Sequence, residues 1–383
     1  MLMTEHKPIY LDYNGTTPHA PEVIEAMRPY FEGEFGNPSS SHWYGRRPRM
    51  AVSTARDQVA GILKCLPEEV IFTSGGTESN NHAIKSIAGS RFERGNHIIT
   101  SQIEHPAVIE VCRFLERHGF DVTYVPVGEY GVVNVDDVMS SIRPSTILIT
   151  IMHANNEVGT LQPVAEISSL VKKKEILLHT DAAQSLGKVP VSVDELGIDL
   201  LSVAGHKIYA PKGVGALYIR QSVEPEIFCH GAGQERGIRG GTENVMEIVG
   251  LGAGCAVAEK NLEENATHMR TMRDRLESGL RRSVDDIRFN GHREKRLPNT
   301  ASVSFYGIDA NRLLDEIGSE VAASAGAACH SDCVQISHVL EAMAVPRQWA
   351  RGTVRFTTGR MTTASEIDRT LEVVSAAVKK LRG

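Results

Sequence analysis

An alternation constrains the fold of this chain more than any other feature. Between residues 68 and 220, short β-branched runs take turns with amphipathic stretches. Strands are expected at Val70–Ser74, His97–Thr100, Val122–Val127, Thr146–Ile151, Ile176–Thr180, Leu200–Ala204 and Gly215–Ile219. Helical patterns separate most of them. In the stretch from Pro106 to Leu115, Pro106 suits a first helical turn and Gly119 the residue after the last. Such alternation predicts a mostly parallel sheet with helices on both faces. Ligands of such sheets collect beyond the carboxyl ends of the strands, so the polar residues just after each strand carry the functional information.

After residue 244 the texture changes. Asn244 to about Val284 reads as one long helical pattern, small and apolar at first, then strongly charged. Shorter strands (Ala301–Tyr306, Thr353–Thr357) and helices (Asn311–Ile317, Ser337–Met343, Ala364–Leu381) come after it. The expected architecture is α/β: a large domain over 18–262 with a mostly parallel seven-stranded sheet, and a smaller α/β domain made of 1–17 and 263–383. No internal repeat is visible.

Composition removes whole classes of function. With 41 Lys plus Arg against 47 Asp plus Glu, the formal net charge is −6, and nothing favours a nucleic-acid backbone as partner. The most apolar stretch, Ile248 to Ala258, is too short and too glycine-rich to span a bilayer. Six cysteines at irregular positions do not form a secreted disulfide scaffold in a chain of 383 residues, and the N-terminal residues lack an apolar signal core. A cytoplasmic enzyme is the expectation.

Three strand ends then stand out. The first strand runs into Ser74-Gly75-Gly76-Thr77, where helix-start N–H groups and the Thr77 hydroxyl would cradle an anion such as phosphate. A glycine-rich turn with a helix cap is the plainer alternative. Asp181 ends a buried strand, where a carboxylate is costly without a donor or cation; capping the next helix is its plainer role. Lys207, in Gly205-His206-Lys207, also comes just after a strand, where a partly desolvated amine could condense with an aldehyde. Taken jointly, an acid for a pyridinium nitrogen, a lysine for an imine and a phosphate cradle specify pyridoxal 5'-phosphate.

A fourth segment, Ser324 to Cys333, places small residues ahead of Cys329 and reads as a loop thiol rather than a packed one. Cys112 and Cys255 fall in helical patterns as inert small hydrophobes. A zinc site from Cys329, Cys333, His330 and His338 lacks a second compact ligand pair at finger spacing, so no metal is expected.

Ordered motifs along nearly the whole chain carry a resemblance. They run from Ile9–Pro18, Gly36–Ser40 and Thr73–Asn81 through Glu104-His105-Pro106, Asn155–Gly159 and Asp181–Gln184 to Gly205–Lys207, Gly241–Asn244 and Arg355–Arg360. In these the chain resembles the NifS/IscS-type cysteine desulfurases and the related selenocysteine lyases, fold-type I pyridoxal-phosphate enzymes of the class V aminotransferase family. The resemblance implies a homodimer that converts L-cysteine to L-alanine; release of selenide from L-selenocysteine is the alternative. It implies that Lys207 carries the cofactor covalently and moves the substrate's α-proton. Asp181 would pair with the pyridine nitrogen. His105 would stack on the ring and assist proton transfer, Gln184 would bond the phenolic oxygen, and Asn156 would lie beside it. Gly76, Thr77 and His206 would hold the phosphate, with Thr242 reaching over from a second subunit. Arg355 would clamp the substrate carboxylate, and Cys329 would take the sulfur as a persulfide for a possible acceptor protein.

Three departures qualify the resemblance. Ala204 stands where the family commonly has a phosphate-binding serine. The segment around Cys329 reads Ala-Ala-Cys-His-Ser-Asp, closer to the lyases, while its spacing to Ser337–Leu340 matches the desulfurases. The sequence ends at Gly383, short of the extension on which iron–sulfur scaffold proteins dock in the best-known members, which argues against a conventional scaffold partner.

Overall fold

The computed structural model describes residues 7–172, 174–326, 329–330, 333–334 and 336–383, with Cys329, His330, Cys333 and Val334 described by their backbone alone. After β1 (Ile9–Tyr10), all seven strands expected between 70 and 219 form. They are β2 (Val70–Thr73), β3 (His97–Ser101), β4 (Asp121–Val125), β5 (Thr146–Thr150), β6 (Leu177–Asp181), β7 (Leu200–Ala204) and β8 (Gly215–Ile219). They make one sheet in the order β2-β8-β7-β6-β5-β3-β4. Every pairing from β7 through β6, β5 and β3 to β4 is parallel; β8 alone runs against its neighbours β2 and β7.

Alternate residues of these strands feed two cores, as the pleat requires. Ile98, Leu148 and Leu177 share a core with Ile84 and Ile87 of the helix Gly76–Ser90. Their successors Ile99, Ile149 and Leu178 share the opposite core with Leu63 of the helix Trp43–Leu63. Burial on both faces explains why the strands read as continuous apolar runs. The edge strand β4 differs, opening on exposed Asp121. Gly119 falls beyond Arg117, which caps the helix Pro106–Glu116, and holds φ +89°.

The long pattern from Asn244 to Val284 is two helices, Val245–Lys260 and Leu262–Ser283. They break at Asn261 (φ −113°, ψ 18°), whose amide donates to the Val257 carbonyl at 3.0 Å, so the side chain competes with the backbone there. The small residues of the first helix have a steric reason. A Cβ on Gly252 would stand 2.6 Å from the Ala55 Cα, so glycine is what lets this helix touch Trp43–Leu63.

The remaining strands are β9 (Ile287–Asn290), β10 (Thr300–Phe305), β11 (Val321–Ala322), β12 (Ser324–Ala325), β13 (Cys329–His330), β14 (Cys333–Val334) and β15 (Thr353–Thr357). An antiparallel sheet, β12-β15-β10-β9, packs Val303, Phe305 and Phe356 against Leu276, Leu280, Ile367 and Val374 from the helices Leu262–Ser283 and Ala364–Arg382. Leu11 joins that core, and β1 pairs in parallel with β11. The N-terminal segment thus spans from the second sheet to the strand ends of the first. Among the described residues, no helix is long and apolar enough to cross a membrane.

Candidate active site

The carboxyl ends of β2, β3, β5, β6 and β7 open on a cleft of about 410 Å³. Gly76, Thr77, His105, Asn156, Asp181, Gln184, His206, Lys207 and Arg355 all line it. Thr242 does not; it is exposed, just ahead of the helix Val245–Lys260. The Cys329 side chain lies outside the described residues.

Asp181 and Lys207 set the centre. Strands β6 and β7 are parallel neighbours, with Asp181 opposite Ser202. Asp181 is buried; its Oδ2 accepts from the Asn80 amide at 2.7 Å and its Oδ1 from the Ala183 N–H at 2.9 Å. The carboxylate caps a turn rather than a helix, and both of its donors are neutral. Beyond β7 the chain turns sharply at Gly205, where a Cβ would stand 2.9 Å from the Val214 carbonyl oxygen, and this turn brings Lys207 back over the strand ends. The Lys207 amine donates to the carbonyls of Asn14 and Gly15. Burial, reinforced by the Arg355 guanidinium and offset by Asp12 and Asp181, brings its pKa down to about 8.

The flanks carry the remaining groups. Gly76 and Thr77 begin the helix Gly76–Ser90, so their N–H groups have no partner within it. A methyl occupies the serine position: a Cβ on Gly76 would sit 3.2 Å from that of Ala204. His206 bonds Thr16 Oγ1 at 3.2 Å, and burial, with Lys207 next, drives its pKa to about 4, leaving a neutral ring at physiological pH. His105 both starts a helix and faces the cleft. Its Nδ1 accepts from the Ala107 N–H at 3.1 Å, which assigns the proton of the neutral ring to Nε2, and burial lowers its pKa.

Arg355 is both paired with a carboxylate and placed at the cleft. It projects from β15, pairs with Asp12 at 2.7 Å and donates to the Asn156 carbonyl at 3.0 Å, yet still lines the cleft. Gln184 donates to the Asn14 carbonyl at 3.0 Å.

Sequence reasoning did not single out Asp12, Asn14, Asn80, Glu104 or Lys188. Asp12, Asn14, Asn80 and Glu104 sit inside the motifs that carry the resemblance, which is the signal that could have found them. Glu104 is fully buried, accepts from the Ser101 hydroxyl at 2.5 Å and the Met152 N–H at 3.0 Å, and burial pushes its pKa to about 8.

The donor set fits pyridoxal phosphate. A buried carboxylate that meets only neutral donors suits a protonated ring nitrogen, an amine with its pKa near 8 suits an aldehyde, and unpartnered helix-start N–H groups suit a phosphate. A lysine and an acid at the ends of adjacent parallel strands, with that helix start beside them, define a fold-type I pyridoxal-phosphate enzyme. The comparisons narrow the class. The family model Aminotransferase class-V matches residues 9–370, and the chain belongs to this family. It is 46% identical over 377 residues to a cysteine desulfurase IscS of Dictyoglomus turgidum, covering 98% of this chain and 96% of the relative. Against a cysteine desulfurase IscS of Methanosarcina thermophila it is 47% identical over 380 residues, covering 99% and 94%. A solved NifS-like protein superposes with a TM-score of 0.92 at 39% identity, covering 98% of this chain and all of that one.

Proposed function

We propose that this chain is a pyridoxal-phosphate-dependent cysteine desulfurase that converts L-cysteine to L-alanine and takes the sulfur onto Cys329. The observation that carries this reading is the Asp181–Lys207 pair at adjacent strand ends, faced by Arg355 from the second sheet. The names of the relatives favour the desulfurase over the selenocysteine lyase.

When bound, the cofactor supplies an electron-accepting ring conjugated to the substrate's nitrogen, which acidifies the α-hydrogen and weakens the carbon–sulfur bond. Asp181 would keep a proton on the ring nitrogen. Lys207 would hold the cofactor and then move the proton at the substrate's Cα. His105 would lie against the ring, Gln184 would donate to its phenolic oxygen with Asn156 beside it, and Gly76, Thr77 and His206 would take the phosphate. The Cys329 thiolate attacks the substrate sulfur. A sulfur–sulfur bond forms, the Cβ–S bond breaks with its electron pair left on carbon, and a proton on that carbon completes alanine. A persulfide remains for an acceptor protein. Exposed Thr242 supports a homodimer in which it reaches the partner's phosphate site, the whole working in the cytoplasm.

The direct test incubates the purified protein with the cofactor and L-cysteine and measures alanine. Stoichiometric or catalytic alanine is expected; a protein that neither turns yellow with the cofactor nor yields alanine would sink the reading. Arg355→Lys checks the carboxylate clamp. Lysine keeps the charge but loses the planar fork, so kcat/KM for cysteine should fall about 10- to 100-fold, chiefly through KM.

A further inference from the structure

Lys188 is a buried amine with no place in that chemistry. It lies four residues beyond Gln184 on the turn after β6 and is 4% exposed. Its Nζ donates to Gln184 Oε1 at 3.0 Å and to Asn14 Oδ1 at 3.2 Å, both neutral amide oxygens. Asn14 Oδ1 has a second donor, the Asn299 amide at 3.0 Å. The Gln184 amide is bound at its other end too, where Nε2 donates to the Asn14 carbonyl oxygen, the same oxygen that receives the Lys207 amine.

We propose that Lys188 is a positioning residue for the cofactor site: it holds the Gln184 amide oxygen turned inward, so that the amide NH2 stays beside the Lys207 amine as a donor. The inference rests on the proposed function, because it concerns how Gln184 meets the cofactor's ring oxygen. The two ends of a glutamine amide are nearly the same shape, and only their partners decide which way they face. Flipping Gln184 would set its oxygen against the Asn14 carbonyl and its NH2 against the donors of Lys188. With Lys188 gone, only one of these two penalties remains.

Burial holds the Lys188 pKa well below the usual lysine range, and the nearby cations Lys207 and Arg355 add to the effect. The amine has N–H bonds enough for both of its acceptors. An apolar side chain of similar length would fill the same space with less desolvation cost, so what the amine contributes here is hydrogen bonding.

The test uses the holoenzyme and three variants: Lys188→Met, Gln184→Leu and the double variant. Cofactor affinity and the visible absorption band of the bound cofactor are read at one pH, with thermal unfolding of the cofactor-free proteins as control. Lys188→Met should weaken cofactor affinity about three- to tenfold and displace the absorption band, with no fall in unfolding temperature. In the Gln184→Leu background, Lys188→Met should add nothing, because it acts through that amide. An unchanged band and affinity in Lys188→Met, or effects that multiply in the double variant, would overturn the proposal. Should Lys188→Met fail to fold, Lys188→Leu, which also removes the donor, must still displace the band, and an unchanged spectrum overturns the proposal equally. A wild type that binds no cofactor would overturn the functional reading instead, and this inference with it.

Discussion

Lys207→Ala is expected to leave a folded protein that forms alanine from cysteine about a thousandfold more slowly, or not at all. The size of the effect stems from the environment of the amine. With its pKa brought down to about 8, roughly a quarter of Lys207 is neutral near pH 7.5, against about one part in a thousand at the ordinary value. Only that neutral form is both nucleophile and base, and no other amine in the cleft substitutes for it. Lys188 is committed to Gln184 and Asn14.

Folding should survive the change. The Asn14 carbonyl keeps the Gln184 amide, and the Gly15 carbonyl that loses Lys207 borders an open cleft where water replaces the bond. Removing the amine also relieves its repulsion with Arg355. Two measurements check this: alanine formation, and the mass of the protein after cofactor loading and borohydride reduction. The wild type should retain the cofactor's mass and the variant should not. A variant that keeps a tenth of wild-type turnover would remove Lys207 from its assigned role.

The sheet and the residues at its strand ends were legible in the sequence because each depends on local pattern. Seven apolar runs announced seven strands, and Asp181 and Lys207 are polar residues at the carboxyl ends of two of those runs. Neighbouring strands then placed the two side by side, since parallel order converts 26 positions of sequence into one step across the sheet. The break at Asn261 was not legible. A single asparagine inside a continuous helical pattern carries only a weak preference, and here its own side chain tips the balance.

Long-range convergence was hidden for a different reason. Asp12 meets Arg355 across 343 positions, and Asn14 gathers Gln184, Lys207, Lys188 and Asn299 at one point. No periodicity encodes such meetings; they arise because the N-terminal segment lies between the two sheets. Lys188 carries no signal of its own, since a lysine after a turn ordinarily faces water. Glu104 and His105 had signals of the usual kind, a polar pair just after β3, but the sequence disclosed only that the pair lay there. That Glu104 holds the turn from inside while His105 faces out required the fold.

Cys329→Ala should retain cofactor colour and cysteine binding while losing alanine formation by about a hundredfold or more. The cofactor only weakens the Cβ–S bond, so a thiolate must still take the sulfur away, and the other cysteines divide clearly on their capacity to do so. Cys112 and Cys255 are fully buried, with burial pushing both thiols far up, and burial takes Cys65 to about 12. None of these holds a thiolate near neutral pH. Cys229 is an exposed free thiol that does not line the cleft, so Cys229→Ala is the control expected to keep full activity. Cys333→Ala should change little. A selenocysteine substrate sharpens the comparison. Selenium leaves carbon more readily than sulfur, so Cys329→Ala should lose less activity with it than with cysteine. Mass spectrometry of the wild type after one turnover should find a single added sulfur on the peptide that contains Cys329, and none in the variant. Alanine released by Cys329→Ala at the wild-type rate would show that the sulfur departs without this thiol, and the persulfide route would have to be given up.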